Sequence, residues 1–323
     1  MKIPEQSVSA LMKFGYSERE SQFLYVVATF SGNFLRRHFT EFIGASGPGW
    51  PEAEFLKKGT SMGHLREIAY KRSTQHRFHL SARSVYRAID KENSANRKEA
   101  GDSRSILKLK FLSFVLDNFN EDYLEEEADK VRFFTEQRSI SRDLLPSKTY
   151  ENRHGSEATV RCFVDKFPLS IANDSNDLAV PTFTYFEDEY EKVTSFPAHL
   201  NWYKPLLLAL KGQFKLIYVA DTAKHFGRAE KQFEAVLSNP HRPHPPALLN
   251  YFRLRQLWEN KKISQLSDQD LATLNQSEKK FSRPEHEQLY QQWVRGELPS
   301  TCPPAERSTH EVHGMLETYL LNV

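Results

Sequence analysis

Residues 50–80 read WPEAEFLKKGTSMGHLREIAYKRSTQHRFHL, and within this stretch the spacing of apolar residues changes from that of a helix to that of a strand. Pro51 suits the first turn of a helix that runs to about Met62, and Gly63 suits its end. Two runs with strand-like residues follow, separated by the polar turn residues 71–75. The stretch therefore predicts a helix that leads directly into a β-hairpin.

Two more helices are predicted upstream of this stretch. Ser17 and Glu20 have the spacing of a capping box, in which each side chain hydrogen-bonds the backbone amide of the other residue. The apolar residues that follow at helical spacing are Phe23, Leu24, Val27 and Phe30. Asn33 is the predicted N-cap of a second helix, which ends at Gly44. Three short helices followed by a basic hairpin are the order of a winged helix-turn-helix, which is the fold predicted for residues 8–92.

A winged helix-turn-helix binds duplex DNA with its recognition helix in the major groove and its hairpin against phosphates or the minor groove. The third helix, from Pro51, is the candidate recognition helix. The residues predicted to contact DNA are Arg36, Arg37, Lys57, Lys58, Arg66, Lys71, Arg72, His76 and Arg77. Glu52 and Glu54 count against this prediction, because carboxylates there suit the helix dipole but repel phosphates. Winged helices also bind proteins, so a second protein is an alternative partner.

Basic residues are unevenly distributed along the chain. Over the whole sequence 44 Lys and Arg stand against 42 Asp and Glu, which gives a net charge of +2. Residues 1–110 contain 19 basic and 11 acidic residues, a net charge of +8, and the remainder contains 25 and 31, a net charge of −6. This asymmetry favours double-stranded DNA as the partner of the N-terminal part.

Composition excludes several classes of protein. The 323 residues are 39% hydrophobic, enough for two or three packed domains, but no apolar run approaches the roughly 20 residues of a membrane span. Cys162 and Cys302 form no disulfide or metal pattern and no signal peptide is apparent, so a cytoplasmic location without membrane contact is expected. The glycine motifs of nucleotide-binding sites, HExxH and CxxC are absent from the sequence.

The rest of the chain is predicted to fold as three segments. Residues 93–150 are expected to be helical, and the wide apolar face of residues 106–119 is either buried within the chain or pairs two copies as a homodimer. Residues 151–240 are expected to form a small α/β domain of hairpin, helix, strand and helix, in which the strands of the hairpin are residues 159–165 and 180–186. Residues 241–323 are expected to be helical, with a last short helix at 312–321.

The α/β segment carries a resemblance to a known family. A helix that contains Leu200-Asn201-Trp202-Tyr203-Lys204 stands between a hairpin and the strand Leu216-Ile217-Tyr218-Val219-Ala220. A winged helix followed by this order resembles the replication-relaxation-type proteins of plasmids and integrative elements, over residues 10–90 and 155–240. Their second domain is similar to restriction-endonuclease-like folds. The resemblance implies DNA binding in the regulation, replication or maintenance of a mobile element, and an antitoxin-like interaction module has a related layout.

The resemblance also implies nuclease activity as an alternative function. Nucleases of this fold hold Mg²⁺ with an Asp and a second acidic residue on adjacent strands, and a Lys lies two residues beyond the latter. Asp165, Glu187 and Lys192 come nearest to that pattern, but the second strand contains no Glu-x-Lys. We therefore expect a nuclease-like domain that is inactive and has no metal or other cofactor, and the alternative is a metal-dependent nuclease that acts on DNA with Mg²⁺.

Overall fold

The computed structural model describes residues 1–45, 47, 49–69, 76–150, 159–173, 179–187, 195–238, 246–260, 266–281, 284–294 and 314–321. Helices and small sheets are mixed along these residues, so the fold is of the α+β class. The chain divides into two compact units, of which the first comprises Met1–Leu237 with Val312–Val323 and the second comprises Ser238–Glu311. Every residue predicted above to bind DNA or metal belongs to the first unit.

The N-terminal part of the first unit combines short helices with a small sheet. Its elements, in chain order, are α1 (Glu5–Met12), α2 (Glu18–Phe30), β1 (Asn33–Leu35), α3 (Arg36–Phe42), α4 (Trp50–Ser61), β2 (Leu65–Ala69), β3 (His76–Leu80) and α5 (Arg83–Ala88). The sheet is antiparallel in the order β1-β3-β2, so β3 is its central strand. The predicted third helix and the predicted returning strand correspond to α4 and β3.

The strand β1 occupies the place where the sequence predicts the start of a helix. Asn33 pairs with His79 across the sheet, and the Ser31 hydroxyl donates to the Asn33 carbonyl at 2.6 Å. The Asn33 amide in turn donates to the Ser31 hydroxyl at 3.1 Å. Because this pairing uses the backbone of Asn33, α3 begins three residues later with Leu35 as its N-cap, and the prediction of Asn33 as an N-cap is wrong.

The second part of the first unit is built on a five-stranded sheet in the order β10-β9-β8-β7-β4. The elements of this part are α6 (Asp102–Asp117), β4 (Asp122–Tyr123), α7 (Glu127–Arg132), β5 (Ser147–Tyr150), β6 (Thr159–Cys162), β7 (Leu169–Asn173), β8 (Ala179–Phe186), α8 (Ser195–Ala209), β9 (Lys215–Ala220), α9 (Phe226–Ser238) and β10 (Met315–Leu320). β7 and β8 are antiparallel, whereas β8, β9 and β10 are parallel. β5 and β6 form a separate antiparallel pair. The predicted hairpin of residues 159–165 with 180–186 is therefore wrong, because β8 pairs with β7, and β6 pairs with β5. The segment 93–150, expected to be helical, thus also contributes strands.

The chain returns to this sheet as β10, where the sequence predicts a helix. The apolar residues Met315, Leu316, Tyr319 and Leu320 have helical spacing. The free edge of β9 nevertheless pairs with them in parallel, and the Leu321 amide extends the ladder by donating to the Ala220 carbonyl at 2.9 Å. The predicted helix at 312–321 is therefore wrong over the strand, because the hydrogen bonds offered by β9 decide the local conformation.

α6 packs between the two parts of the first unit. The Phe111 ring lies 4.7 Å from the ring of Phe186 on β8, and the Phe114 ring lies 5.1 Å from the ring of Tyr319 on β10. On the side of the N-terminal part, the ring of Phe119 lies 5.4 Å from that of Phe42. The wide apolar face predicted at 106–119 is thus buried within the chain.

The second unit contains α10 (Pro246–Glu259), α11 (Asp268–Phe281) and α12 (Pro284–Val294). Its small core is centred on Phe252 and Tyr290, which are both buried. The Tyr290 hydroxyl donates to Glu259 at 2.6 Å, and the guanidinium of Arg255 lies 4.0 Å from the Tyr290 ring centre. In neither unit is any described helix both long and apolar enough to cross a lipid bilayer.

Candidate nucleic-acid interface

α4 is attached to the core along one face. Phe55 is fully buried, and its ring stacks on Phe39 with a centroid distance of 4.1 Å. Gly59 lies on the same face, where a Cβ atom would come within 2.4 Å of the Leu65 side chain. The opposite face is exposed and carries Trp50, Ala53, Lys57, Thr60 and Ser61, which share one side because they are three or four residues apart. An external ligand therefore has access to a continuous stripe along the helix.

The β2–β3 hairpin is held at the C-terminal end of α4. Gly63 has a φ of +67°, in the left-handed region that commonly ends helices. The His64 amide donates to the Gly59 carbonyl at 2.9 Å, and the Ser81 amide donates to the His64 carbonyl at 3.1 Å. The His64 ring is hydrogen-bonded to the Tyr16 hydroxyl at 2.9 Å, and burial lowers the pKa of His64. These bonds fix the base of the hairpin relative to the helix.

Several of the predicted DNA contacts pair with carboxylates of the same unit. Arg36 donates to Glu52 at 3.1 Å and lies 3.9 Å from Glu67, which is also 2.7 Å from the His76 ring. Two further pairs join Lys58 to Glu20 at 2.8 Å and Arg66 to Glu99 at 3.0 Å. Glu52, which the sequence analysis counts against DNA binding, is itself buried, so its charge faces Arg36 and not the exposed stripe. A phosphate would compete with the remaining carboxylates for the same donors.

Arg77 lies inside the N-terminal part of the first unit, although the sequence analysis predicts it as a DNA contact on the hairpin. Its side chain is only 3% exposed, and it lies 3.4 Å from Asp102 and 3.8 Å from Glu99. The cause is the sheet order, because Arg77 belongs to the central strand β3, which β1 and β2 flank. Two of its guanidinium nitrogens, Nε and Nη1, are buried without a hydrogen-bond acceptor among the described residues. Arg77 therefore has no surface from which to contact an external phosphate.

Lys57 is the predicted contact that fits an interface best. Its side chain is exposed on the outer face of α4, and no carboxylate pairs with it among the residues that the structure describes. Arg37 on α3 is half-buried, and its charge is the smaller of two causes, after burial, that lower the pKa of His38 to about 3. Lys71 and Arg72, predicted for the hairpin tip, lie outside the described residues. Trp50 is 76% exposed and lies about two helical turns before Lys57 on the same face of α4. The sequence analysis does not single it out, because its exposure depends on the orientation of the helix.

The predicted metal ligands have separate partners. Asp165 accepts a hydrogen bond from the Tyr203 hydroxyl at 2.8 Å, and burial and this carboxylate raise the pKa of Tyr203, so the phenol remains a donor. Glu187 lies 4.0 Å from a ring nitrogen of His225. Lys192 lies outside the described residues. Within the described ranges no three His, Cys, Asp or Glu side chains are grouped as a metal site requires.

A buried ion pair that the sequence did not reveal lies at the carboxyl ends of β8 and β9. The Lys110 ammonium on α6 is 2.5 Å from Asp221 and donates to the Glu187 carbonyl at 3.2 Å. Asp221 directly follows a buried strand, which is the one sequence signal for it, whereas Lys110 stands within an apolar helical run. The pair joins α6 to the sheet, and its charges neutralise one another.

Comparisons with known proteins give no similarity from which to assign a function. No protein-family model matches the chain, and no curated protein or solved structure is significantly similar to it. The contacts and charges of the chain itself are therefore the basis for the function proposed next.

Proposed function

We propose that the N-terminal part of the first unit is a winged helix-turn-helix and that it binds duplex DNA. α4 is the recognition helix, and the β2–β3 hairpin is the wing. The observation that carries the proposal is the orientation of α4, which buries Phe55 and presents Lys57 with Trp50 on an exposed stripe. The hairpin, which follows α4 after three residues, is fixed to the end of the helix, so the helix and the hairpin form one continuous surface.

The exposed stripe has the chemistry that a DNA groove requires. The Lys57 ammonium provides a positive charge for a backbone phosphate. Thr60 and Ser61 already donate their hydroxyl protons to backbone carbonyls of α4, so their free oxygen lone pairs are available to accept hydrogen bonds from amino groups of the bases. Ala53, which lies between Trp50 and Lys57 on the exposed stripe, is small and lets the helix approach a base edge closely.

The surface ion pairs reduce but do not remove the positive charge of the interface. The ion pair of Arg66 with Glu99 is exposed at both ends, by 54% and 43%, and exposed ion pairs are worth only about 0–1 kcal/mol. A phosphate that carries a full negative charge can replace the carboxylate at such a site at small cost. Arg36 is also 54% exposed, but its partner Glu52 is buried, so that pair remains in place and a phosphate would contact the exposed part of the guanidinium. Lys58 differs, because its partner Glu20 is also part of the capping box of α2, and Lys58 therefore has a structural role.

The antiparallel strands β4, β7 and β8, followed by α8 and the parallel strand β9, support a restriction-endonuclease-like fold for the second part of the unit, which the resemblance implies. Because Asp165 and Glu187 have separate partners, we assign this domain a scaffold role in place of catalysis. The resemblance to replication-relaxation-type proteins extends the proposal to regulation or maintenance of a mobile element. Binding to a second protein, as in an antitoxin, is the rival use of the same module.

Charge reversal at the centre of the exposed stripe tests the proposal. Fluorescence anisotropy with a labelled random duplex in dilute salt compares the wild-type chain with Lys57→Glu and with Lys224→Glu. Lys224 is an exposed lysine in the turn before α9 and serves as the matched control. We expect Lys57→Glu to bind roughly tenfold more weakly, with a salt dependence smaller by about one phosphate contact, and the control to bind as the wild type does. Equal binding by both variants would place the interface elsewhere, and no binding by the wild type would support the rival use.

A further inference from the structure

A cleft with a volume of about 1200 Å³ opens in the first unit, away from the exposed face of α4. α6, α7, the turn between β6 and β7, and α8 contribute to its walls. Six basic and six acidic side chains line it, so its overall charge does not favour either sign of ligand. The distinguishing feature of the cleft is that some of these charged side chains have ion-pair or hydrogen-bond partners and others do not.

Lys108 lines the cleft and is unusual among the buried lysines of the unit. Lys108 is only 7% exposed, and its ammonium group has neither a carboxylate partner nor a hydrogen-bond acceptor among the described residues. The other buried lysines of this region have partners, because Lys130 donates to the Phe167 carbonyl at 2.9 Å and Lys110 pairs with Asp221. The Nζ atom of Lys108 is not itself fully buried, so this largely buried side chain presents to the cleft an ammonium group that has no counter-charge.

Two more cations lie near Lys108. Arg104 stands one turn earlier on α6, on the same face, and like charges at this spacing repel each other. Lys166 lies in the turn between β6 and β7, with a φ of +61°. Burial, followed by the charges of Arg104 and Lys166, lowers the pKa of Lys108 to about 8. Burial and Arg104, together with Arg161, also lower the pKa of Lys166. Three positive groups thus meet at one side of the cleft.

The nearest carboxylates are already engaged. Glu127 accepts from the Arg161 guanidinium at 2.6 Å and from the Cys162 amide at 2.7 Å. Asp165 accepts from Tyr203 at 2.8 Å and from the Phe167 amide at 3.4 Å. Burial lowers the pKa values of Lys166 and Lys130, whereas Glu127 acts to raise both and Asp165 acts to raise that of Lys130. These carboxylates therefore act on the neighbouring lysines, and neither of them pairs with Lys108. An anion from outside the chain would reduce the repulsion that Arg104 and Lys166 exert on Lys108.

We propose that this cleft binds a phosphate group, with Lys108 at its inner wall and Arg104 and Lys166 as further contacts. Arginine and lysine side chains bind phosphate oxygens by charge-assisted hydrogen bonds. The volume exceeds that of a phosphate alone, and Trp202 and Tyr150 line the same cleft, so an attached nucleobase has aromatic rings on which to stack. The phosphate is accordingly that of a nucleotide, either free or within a single strand. The site is independent of α4, so failure of DNA binding there leaves it unaffected.

Calorimetric titration of the full chain at constant ionic strength tests this site. The probes are inorganic phosphate, adenosine 5′-monophosphate and a short oligothymidylate, and the variants are Lys108→Gln, Arg104→Gln and the exposed control Lys224→Gln. We expect the wild type and the control to bind at least one probe, Arg104→Gln to bind it more weakly, and Lys108→Gln to lose at least tenfold in affinity. Preference for the monophosphate assigns a free nucleotide, and preference for the oligonucleotide assigns a strand.

A thermal melt distinguishes loss of binding from loss of folding. Because Lys108→Gln removes a charge that has no counter-charge from a largely buried side chain, we expect its Tm without ligand to equal or exceed that of the wild type. We expect the probe to raise the Tm of the wild type and of the Lys224→Gln control more than that of Lys108→Gln. If Lys108→Gln has a lower Tm than the wild type, the test depends on Arg104→Gln alone, because Arg104 lies on the helix surface. The proposal is overturned if no probe binds the wild type, or if both variants bind as tightly as the Lys224→Gln control.

Discussion

Burial lowers the pKa values of four histidines of the first unit, His38, His64, His79 and His199, so we expect this unit to lose stability in mild acid. His38 and His199 have the largest shifts. The His38 ring is completely buried on α3, where its Nδ1 atom accepts from the Leu35 amide at 3.2 Å and Nε2 lies 2.9 Å from the Ser113 hydroxyl. Because Nδ1 accepts, the neutral ring carries its proton on Nε2 and donates to Ser113. Burial lowers the pKa of His38 to about 3. Burial likewise lowers the pKa of His199 on α8 to about 4, although Asp165 opposes the shift.

The size and sign of the effect follow from proton linkage. In the unfolded chain each histidine has a pKa near 6.5. Above that pH neither the folded nor the unfolded state binds the proton, and the histidines do not reduce the free energy of unfolding. As the pH falls, the unfolded state takes up protons that the native rings cannot accept, and the loss grows until the pH reaches the native pKa values of about 4 and 3. At pH 5 the loss is about 2 kcal/mol per histidine, or about 4 kcal/mol for both.

Urea unfolding at pH 7.5 and pH 5 measures this loss. A decrease of about 4 kcal/mol is a large part of the roughly 5–15 kcal/mol by which domains are stable. In His38→Gln, which keeps a neutral hydrogen-bonding group, the difference between the two pH values should shrink by about 2 kcal/mol. His76→Asn, at an exposed position, is the matched control and should retain the wild-type difference. The reasoning would be refuted if the wild type had the same free energy of unfolding at both pH values. It would also be refuted if His38→Gln lost as much stability between pH 7.5 and pH 5 as the wild type does.

Other substitutions test the packing of the same unit by urea unfolding. Gly59→Ala places a Cβ atom 2.4 Å from Leu65 and should cost about 1–3 kcal/mol, whereas Gly101→Ala, in open space, should cost almost nothing; equal effects would contradict the close approach of α4 to β2. Asp221→Asn leaves the buried ammonium of Lys110 without its counter-charge and should cost about 3 kcal/mol, most of which the double variant with Lys110→Met should restore. An unchanged midpoint for Asp221→Asn would show that water solvates the ammonium.

Local sequence signals predict the elements whose pattern is complete within a few residues. The capping box of Ser17 and Glu20 forms as expected, with the Ser17 amide donating to Glu20 at 2.6 Å. β9 appears where apolar, β-branched and aromatic residues are concentrated, and β3 appears after the polar turn residues 71–75 that predict a hairpin. The sequence does not predict β1 and β10, because partners that are distant in sequence decide their conformation. Asn33 needs His79 across the sheet, and β10 needs β9, about 100 residues earlier.

The candidate sites show the same division between local and distant causes. Exposure of Lys57 follows from the apolar spacing of α4, which the sequence reveals. Burial of Arg77 depends on the order of strands in the sheet, which no local pattern encodes. Lys108 is missed for a similar reason, because it stands in an apolar helical run and becomes distinctive only when the turn that carries Lys166 folds against α6.

The dependence of DNA affinity on salt is the most direct test of the central claim. Arg36, Lys57 and Arg66 on the described surface, with Lys71 and Arg72 from the sequence, provide up to five phosphate contacts. Each contact releases condensed counterions, so the logarithm of the association constant for a random duplex should fall against the logarithm of salt concentration with a slope between about −3 and −5. A slope near zero, or no binding of the wild-type chain to duplex in dilute salt, would contradict the claim that α4 and the hairpin bind DNA.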